Sequence, residues 1–265
     1  MKTTIYTIEA FSNLHVGSGN VNYGVVDNLI QRDAITGLPI IHSSSLKGAL
    51  REYYSRKLTK EVVENIFGSD PKGDKRESGS YRFFDAFLLA LPVRSDKAPF
   101  FLATCPQVIT EFLEKVAAFG INLPDSISKG LKALLNVSTL PVVFTRKYEN
   151  ALIEDLNEKT VFIPFEDMKP LEALFGTYPL VLLSDADFNL LCKDSHLPVI
   201  ARNYLNNGKS ENLFYEQVLP RFTRLYYITC QMNGNDCLPM AEELVQIGGN
   251  ASVGYGYCKL SELKL

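Results

Sequence analysis

Asp27 is the carboxylate in this sequence that is best suited to a chemical role. It follows an apolar stretch in a loop rich in Gly and Asn. A lone Asp in a loop is usually a turn or cap residue, but it can also hold a cation or accept a proton. Asp33 is the next carboxylate, and it lies about 20 Å further on if the chain is extended. A two-metal carboxylate site is therefore not encoded locally. His15 lies upstream in the same loop and could approach Asp27, so a functional pair and a plain loop both stay open.

Two glycine-rich segments could bring bare backbone amides to a phosphate. They are Gly17-Ser18-Gly19 and the segment at residues 248–256. Successive free amides in such loops form anion-binding nests, although tight turns have the same composition. Neither segment matches a Walker A loop or the dinucleotide-binding fingerprint, so the common nucleotide-binding folds are not indicated.

The segment that starts with Ser43, Ser44 and Ser45 combines hydroxyl groups with the predicted beginning of a helix. Free amides and serines at a helix N-terminus suit a phosphate. Lys47 and Arg51 follow, and their spacing of four residues puts them on one helix face. The alternative is a surface helix that the serines cap and whose cations are solvated.

The elements that must position these residues follow from hydrophobic periodicity and turn signals. A hairpin turn is predicted at Thr36-Gly37, and another at residues 206–209. Strands are predicted over residues 3–11, 81–93, 199–205, 212–218, 221–232 and 255–263, with short apolar runs at 141–144, 161–165 and 180–183. Helices are predicted over residues 43–58, 59–68, 106–119, 125–135, 187–192 and 239–245. Because strands and helices do not alternate regularly, the fold class is α+β.

The composition narrows the class of protein. With 27 basic and 30 acidic residues, the net charge of −3 argues against a free-standing nucleic-acid binder, which is usually basic. Any RNA contact must come from local patches or from a larger complex. Five cysteines without a paired spacing predict buried free thiols, and three histidines make a histidine-rich metalloenzyme improbable. No apolar run approaches a membrane span and the N-terminus resembles no signal peptide, so we expect a cytoplasmic protein without membrane contact.

Several motifs in order along the chain resemble the repeat-associated (RAMP) superfamily, and more narrowly the repeated backbone subunit of the type III-B CRISPR effector, the Cmr complex. The motifs span nearly the whole chain: Leu14-His15-Val16-Gly17-Ser18-Gly19, Gly24-Val25-Val26-Asp27, Ile30-Gln31-Arg32-Asp33, Thr36-Gly37-Leu38-Pro39, Ser44-Ser45-Leu46-Lys47-Gly48, Phe84-Asp85-Ala86, Leu91-Pro92-Val93-Arg94-Ser95, Leu213-Phe214-Tyr215-Glu216, Leu219-Pro220 and the C-terminal glycine-rich loop.

The resemblance implies one domain over residues 1–265 with a modified RRM-like, ferredoxin-like core. A helical insertion over residues 104–175 and a thumb hairpin over residues 199–219 would be added to that core. Copies of such a subunit line up along a CRISPR guide RNA as a filament, beside other Cmr subunits. They cut complementary single-stranded target RNA at regular intervals with a divalent metal, Mg²⁺ or Mn²⁺.

The resemblance also assigns roles to residues. Asp27 matches the catalytic aspartate and metal ligand, and His15 and Glu216 match positions proposed to assist it. The residues that match guide-RNA contacts are Ser43, Ser44, Ser45, Lys47, Arg51, Gly248, Gly249, Gly254 and Gly256. Two alternatives remain: a guide-binding scaffold without catalysis, and the related type III-A (Csm) backbone subunit.

Overall fold

The fold was analysed in a computed structural model, which describes residues 2–19, 24–70, 77–166, 168–207, 209–232, 237–239, 241 and 243–264. The described chain is a mixture of strands and helices without regular alternation, which confirms the predicted α+β class. No helix among these residues has the length and apolar character to cross a membrane.

Thirteen strands and six α-helices are formed by the described residues. The strands are β1 (Lys2–Ala10), β2 (Ile40–Ile41), β3 (Tyr81–Phe83), β4 (Ala86–Val93), β5 (Phe101–Thr104), β6 (Val142–Val143), β7 (Val161–Phe162), β8 (Leu180–Leu182), β9 (Val199–Asn206), β10 (Lys209–Gln217), β11 (Arg224–Gln231), β12 (Val245–Gln246) and β13 (Tyr257–Glu262). The helices are α1 (Ser43–Ser55), α2 (Lys60–Phe67), α3 (Pro106–Ala118), α4 (Asp125–Leu135), α5 (Met168–Phe175) and α6 (Asp185–Leu191).

One large sheet of eleven strands organises the molecule. Its order is β12-β13-β1-β11-β4-β5-β8-β6-β7, with β2 added to β4 and β3 added to β11. The β5–β8 and β6–β7 pairs are parallel, and the other pairs are antiparallel. The remaining strands, β9 and β10, form a separate antiparallel hairpin.

Both faces of the central strands are covered. Along β11, Leu225 and Tyr227 pack into the core on the α1 and α2 side, whereas Tyr226 and Ile228 pack on the α3, α4 and α5 side. Successive strand residues point to opposite faces, so a strand covered on both sides is apolar throughout. Helix α1 contributes Leu46, Leu50 and Tyr54, whose spacing of four residues makes one buried stripe.

Several predicted element boundaries are confirmed by local signals. Thr59 caps α2 through its side chain, and Gly68 ends that helix. Pro106 opens α3, and the side chain of Ser184 caps α6. These signals act within one turn of the chain, and the sequence alone therefore predicts them well.

Other predictions were wrong. The predicted strand over residues 81–93 is two strands, β3 and β4, with a break at Phe84-Asp85. The described residues of the predicted helix over 239–245 are not helical, and Val245 instead pairs with Cys258 in the sheet. Residues 240 and 242 of that prediction lie outside the described residues. Helix α5 was missed, and Cys237 is exposed although the other four cysteines are buried, as predicted.

The finer predictions about domains are not tested by these observations. Residues 104–175 contain α3, α4 and α5 together with the short strands β6 and β7. The hairpin of β9 and β10 falls within the predicted thumb at 199–219. The ferredoxin-like description of the core stays a prediction.

Candidate functional site

Asp27 is exposed and is held against β10, at the base of the hairpin. Its Oδ2 accepts the Tyr215 N–H at 2.7 Å, and its own N–H donates to the Tyr215 carbonyl at 3.1 Å. Asn28 continues this pairing with β10, because its carbonyl accepts the Gln217 N–H at 2.9 Å. The loop therefore runs beside β10 like a short extra strand, which fixes where the Asp27 carboxylate lies.

Glu216 lies on β10 directly after Tyr215 and is 5% exposed. Its Oε2 accepts hydrogen bonds from Arg202 Nη1 at 2.8 Å and from Asn250 Nδ2 at 2.9 Å, and its Oε1 accepts from Asn28 Nδ2 at 3.4 Å. Burial opposes ionisation, but the hydrogen bonds from Arg202 and Asn250, with the nearby His15, hold the pKa of this carboxyl below its ordinary value. Glu216 is therefore ionised near neutral pH.

His15 is buried at the junction of the N-terminal loop, β10 and the glycine-rich loop at 248–256. Its Nδ1 lies 2.7 Å from the Gln217 carbonyl, which can only accept, so Nδ1 carries the hydrogen. In the neutral ring Nε2 is then the acceptor, and a Cβ on Gly17 would come within 3.1 Å of it. The structure thus brings His15, Asp27 and Glu216 together through consecutive residues of β10.

The glycines predicted to contact RNA have different structural environments. A Cβ on Gly248 would overlap the His15 carbonyl, and a Cβ on Gly256 would overlap the Ile247 carbonyl. Gly249 donates its N–H to the His15 carbonyl at 2.9 Å. Gly254 has open space around it and a left-handed φ of +82°. Close packing therefore accounts for Gly248 and Gly256, whereas at Gly254 only the backbone conformation requires glycine.

The serines were expected to cap α1, but they do not. His42 occupies the N-cap position without a side-chain cap bond, and the Ser43 N–H donates to Asp85 Oδ1 at 2.6 Å. Ser45 Oγ accepts from Gln31 Nε2 at 2.9 Å, while Ser44 is exposed. The Asp85 carboxylate thus already binds one of the amides that a phosphate would need. Ser44, Ser45 and the cations of α1 remain as candidates for phosphate contacts.

Lys47 and Arg51 share one face of α1, as the spacing predicted, and Arg82 of β3 lies close enough to affect Lys47. Partial burial, followed by repulsion from Arg51 and Arg82, lowers the pKa of Lys47 from its ordinary value. Arg51 Nη1 donates to the Ser69 carbonyl at 3.3 Å. Lys47, Arg51 and Arg82 form an electropositive patch, and within the described residues none of the three pairs with a carboxylate.

Gln31 joins this helix to the rest of the site. Its Oε1 accepts the His42 N–H at 2.7 Å, and its Nε2 donates to Ser45 Oγ and, at 3.2 Å, to the Gly17 carbonyl. The start of α1, the loop of His15 and Gly17, the glycine-rich loop and β10 are thereby connected by hydrogen bonds.

A protein-built metal cage is absent from the part of the chain that the structure describes, where no three His, Cys, Asp or Glu side chains lie together in a suitable group. The Glu216 oxygens already accept from Arg202, Asn250 and Asn28. Asp27 is exposed and fits a hard cation such as Mg²⁺, which takes one or two carboxylates and completes its shell with water and substrate phosphates.

Several residues that build the site were not predicted from the sequence. Asn250 contacts a segment distant in the chain, and no local pattern marks such a contact. Arg202 meets Glu216 across the hairpin, and Gln31 bonds to Gly17 and Ser45, each 14 residues away. Asn250 carried one usable signal: an Asn that follows two glycines is typical of a turn with a left-handed backbone, and its φ is +65°. Arg82 could have been found as a cation on the strand that packs beside α1.

Comparisons with known proteins were made for the whole chain. The sequence pattern of the RAMP superfamily matches residues 7–259. The chain is 29% identical to the CRISPR system Cmr endoribonuclease Cmr4 of Pyrococcus furiosus, over an alignment that covers 98% of this chain and 96% of that relative.

Solved structures with a similar fold include two that cover nearly the whole chain. A chain of a type III-B Cmr-beta complex bound to cognate target RNA gives a TM-score of 0.85 at 19% identity, with 99% of this chain and 98% of that chain covered. The crystal structure of oligomeric Cmr4 from Pyrococcus furiosus gives 0.69 at 21% identity, with 100% and 99% covered. At these identities the likeness establishes the fold.

Proposed function

The chain belongs to the RAMP superfamily, and from that membership we propose that it is a backbone subunit of a type III-B CRISPR effector, the Cmr complex. In this function it binds a guide RNA, assembles with copies of itself and with other Cmr subunits, and cleaves complementary target RNA in the cytoplasm. Similarity to a Cmr endoribonuclease over 98% of the chain supports this type over the related type III-A subunit.

The observation that carries the catalytic part is the position of Asp27. Among the three catalytic candidates, Asp27 is exposed whereas His15 and Glu216 are buried. Its backbone and one carboxylate oxygen are both held by Tyr215. A fixed carboxylate at the surface can reach RNA that lies across the hairpin base.

RNA supplies its own nucleophile in the reaction we propose. Asp27 accepts the proton of a target 2′-hydroxyl, the 2′-oxygen attacks the adjacent phosphorus, and the 5′-oxygen leaves. The products are a 2′,3′-cyclic phosphate and a 5′-hydroxyl once that oxygen is protonated. In the alternative, Asp27 would instead hold a divalent ion, Mg²⁺ or Mn²⁺, which would neutralise developing charge, and water would take the 2′-hydroxyl proton. The hairpin contributes by holding the target in line for attack.

The electropositive patch of Lys47, Arg51 and Arg82 suits the guide backbone, as do the hydroxyls of Ser44 and Ser45. Base pairing between guide and target reads the sequence, so the protein needs only backbone contacts. The glycine-rich loop would present its amides beside them, with Gly254 the position where no packing demand competes with that role.

One observation favours the scaffold alternative. Asp27 already satisfies the Tyr215 N–H, which is the usual work of a loop aspartate. A scaffold needs Asp27 only for this hydrogen bond, whereas a nuclease also needs the charged carboxylate for cleavage.

Asp27→Asn separates the two functions, because an amide oxygen can still accept the Tyr215 N–H but cannot take a proton or hold a cation well. In an assembled complex with guide RNA, we expect cleavage of labelled complementary RNA to fall about 10²- to 10⁴-fold while guide and target binding persist. Asp96→Asn is the matched control, since Asp96 is also exposed and accepts a backbone N–H, from Leu152 at 2.8 Å.

Cleavage that persists in Asp27→Asn would remove Asp27 from the reaction and leave it the role of a loop residue. A chelator added to the wild-type complex tests the cation separately, and undiminished cutting would remove the metal from the proposal.

A further inference from the structure

The carboxylate of Glu216 joins three segments that are far apart in the sequence. Arg202 belongs to β9 of the hairpin, Asn250 to the glycine-rich loop, and Asn28 to the loop of Asp27. The first two hydrogen bonds are 2.8 and 2.9 Å long and share one oxygen, whereas the bond from Asn28 goes to the other at 3.4 Å. Glu216 itself is on β10, against which Asp27 lies.

We propose that Glu216 is a positioning residue for Asp27, and that Arg202 and Asn250 are two further positioning residues that act by holding its carboxylate. This inference rests on the proposed function, because it assigns these side chains to the placement of the cleaving carboxylate. It differs from a direct role of Glu216 in proton transfer.

The contacts of Glu216 disfavour that direct role. The side chain is buried, and both oxygens accept hydrogen bonds from protein groups. Its neighbours keep it ionised, so at neutral pH it has no proton to donate to a leaving oxygen. Arg202, Asn250, Asn28 and His15 face it, and the hydrogen bonds of the first three already use both of its oxygens.

Hydrogen bonds of Asn28 and Tyr215 connect Glu216 to Asp27. Asn28 donates its side-chain amide to Glu216, and its backbone N–H and carbonyl pair with Tyr215 and Gln217 on either side of Glu216. Asp27 precedes Asn28 and pairs with the same Tyr215. A shift of β10 relative to the loop therefore displaces the Asp27 carboxylate.

Two surfaces expected to contact RNA meet at this carboxylate. Arg202 connects it to the hairpin, and Asn250 connects it to the glycine-rich loop. The placement of Asp27 thus depends on both surfaces, and loss of either link should lower cleavage more than RNA binding. A misplacement of about 1 Å can cost on the order of 10²-fold in rate.

The test compares Glu216→Gln, Arg202→Met and Asn250→Gly in the assembled complex. Glycine retains the left-handed backbone of Asn250, where φ is +65°, so that variant removes the side chain alone. Arg56→Gln is the control, because Arg56 pairs with Glu52 at 2.7 Å on the exposed side of α1. Single-turnover cleavage at saturating RNA, its pH profile, target binding and hydrogen exchange of residues 24–31 are measured.

We expect Arg202→Met and Asn250→Gly each to lower the single-turnover rate about 10- to 100-fold with target binding unchanged. Exchange of residues 24–31 should be faster in both, and the control should match wild type. Glu216→Gln should stay within about tenfold of wild type and keep its pH profile, because an amide oxygen accepts from Arg202 and Asn250 and the Asn28 amide can turn to accept from the new nitrogen.

The proposal is overturned if Glu216→Gln loses about 10²-fold or more, or one limb of the pH profile, without faster exchange, since that would mark a proton-transfer group. It is also overturned if Arg202→Met and Asn250→Gly change neither rate nor exchange. A wild-type complex that cuts no RNA removes the proposed function and the catalytic part of this inference. Hydrogen exchange then still decides, independently, whether these residues hold the loop.

Discussion

At the scale of single residues, Gly248 and Gly254 share a left-handed backbone but differ in their surroundings. A Cβ on Gly248 would overlap the His15 carbonyl, whereas nothing lies within 4 Å of a Cβ on Gly254. Gly248→Ala should therefore destabilise the fold by more than the backbone cost alone. Gly254→Ala should cost about 1–2 kcal/mol. Chemical denaturation of the two variants measures the difference.

The same pair of variants tests the role of the loop. If Gly254 presents its amide to guide RNA, Gly254→Ala should weaken RNA binding although the folded protein persists. Equal stability of both variants would contradict the close contact at His15, and wild-type RNA affinity of Gly254→Ala would remove that glycine from the interface.

At the scale of elements, helix α1 carries the cations expected to contact the guide. Lys47→Ala with Arg51→Ala should weaken binding of all RNA sequences alike. It should also reduce the slope of log affinity against log salt by about 0.7 for each lost phosphate contact. Stability should hardly fall, because the two cations repel each other and Arg82. Arg56→Ala with Lys57→Ala removes the same charge from the end of this helix and serves as the control.

An unchanged salt slope in the Lys47 and Arg51 variant would show that the patch does not touch phosphates. An equal loss in the control would show that only net charge matters.

The hairpin of β9 and β10 is the second element with a testable role. Asn206 pairs with Lys209 and Leu205 with Ser210 at its end. Deleting these four residues shortens the hairpin by two cross-strand pairs. Because the hairpin is separate from the large sheet, thermal unfolding should stay near wild type. The spacing of cuts along target RNA should become irregular.

The control keeps the length of the hairpin and changes its chemistry, with Lys209→Ala and Ser210→Ala. Evenly spaced cuts by the shortened protein would contradict the assignment of this hairpin as the thumb.

At the scale of the whole molecule, the net charge of −3 restricts how RNA can be bound. One copy offers a local electropositive patch within an acidic protein, so it should bind a short RNA weakly. Copies that line up on one RNA share its backbone charge and contact each other, and affinity should rise cooperatively with RNA length. Titration of the protein with RNAs of increasing length measures this. Affinity per copy that is independent of length would contradict filament assembly.

The sequence by itself determined the elements whose signals are local. The caps at Thr59 and Ser184 and Pro106 at the start of α3 each depend on neighbours within a few residues. Such signals act before tertiary contacts form, and they were therefore predictable. The family resemblance added Glu216 to Asp27 and His15 and gave the three residues one role, but not their contacts.

Only the tertiary structure decided how that group is built. Val245 joins a strand because Cys258 offers it a partner in the sheet, and this contact outweighs the local helical pattern. The Ser43 amide is bound by Asp85, and Glu216 is held by Arg202 and Asn250. Ser43 and Asp85 are 42 residues apart and Glu216 and Asn250 are 34 apart, so only the folding of the chain brings them together and no local pattern encodes these contacts. Arg202 and Glu216 are 14 residues apart and meet across the predicted hairpin, but their hydrogen bond was not predicted. Buried polar groups must find hydrogen-bond partners, and the folded chain determines which ones are within reach.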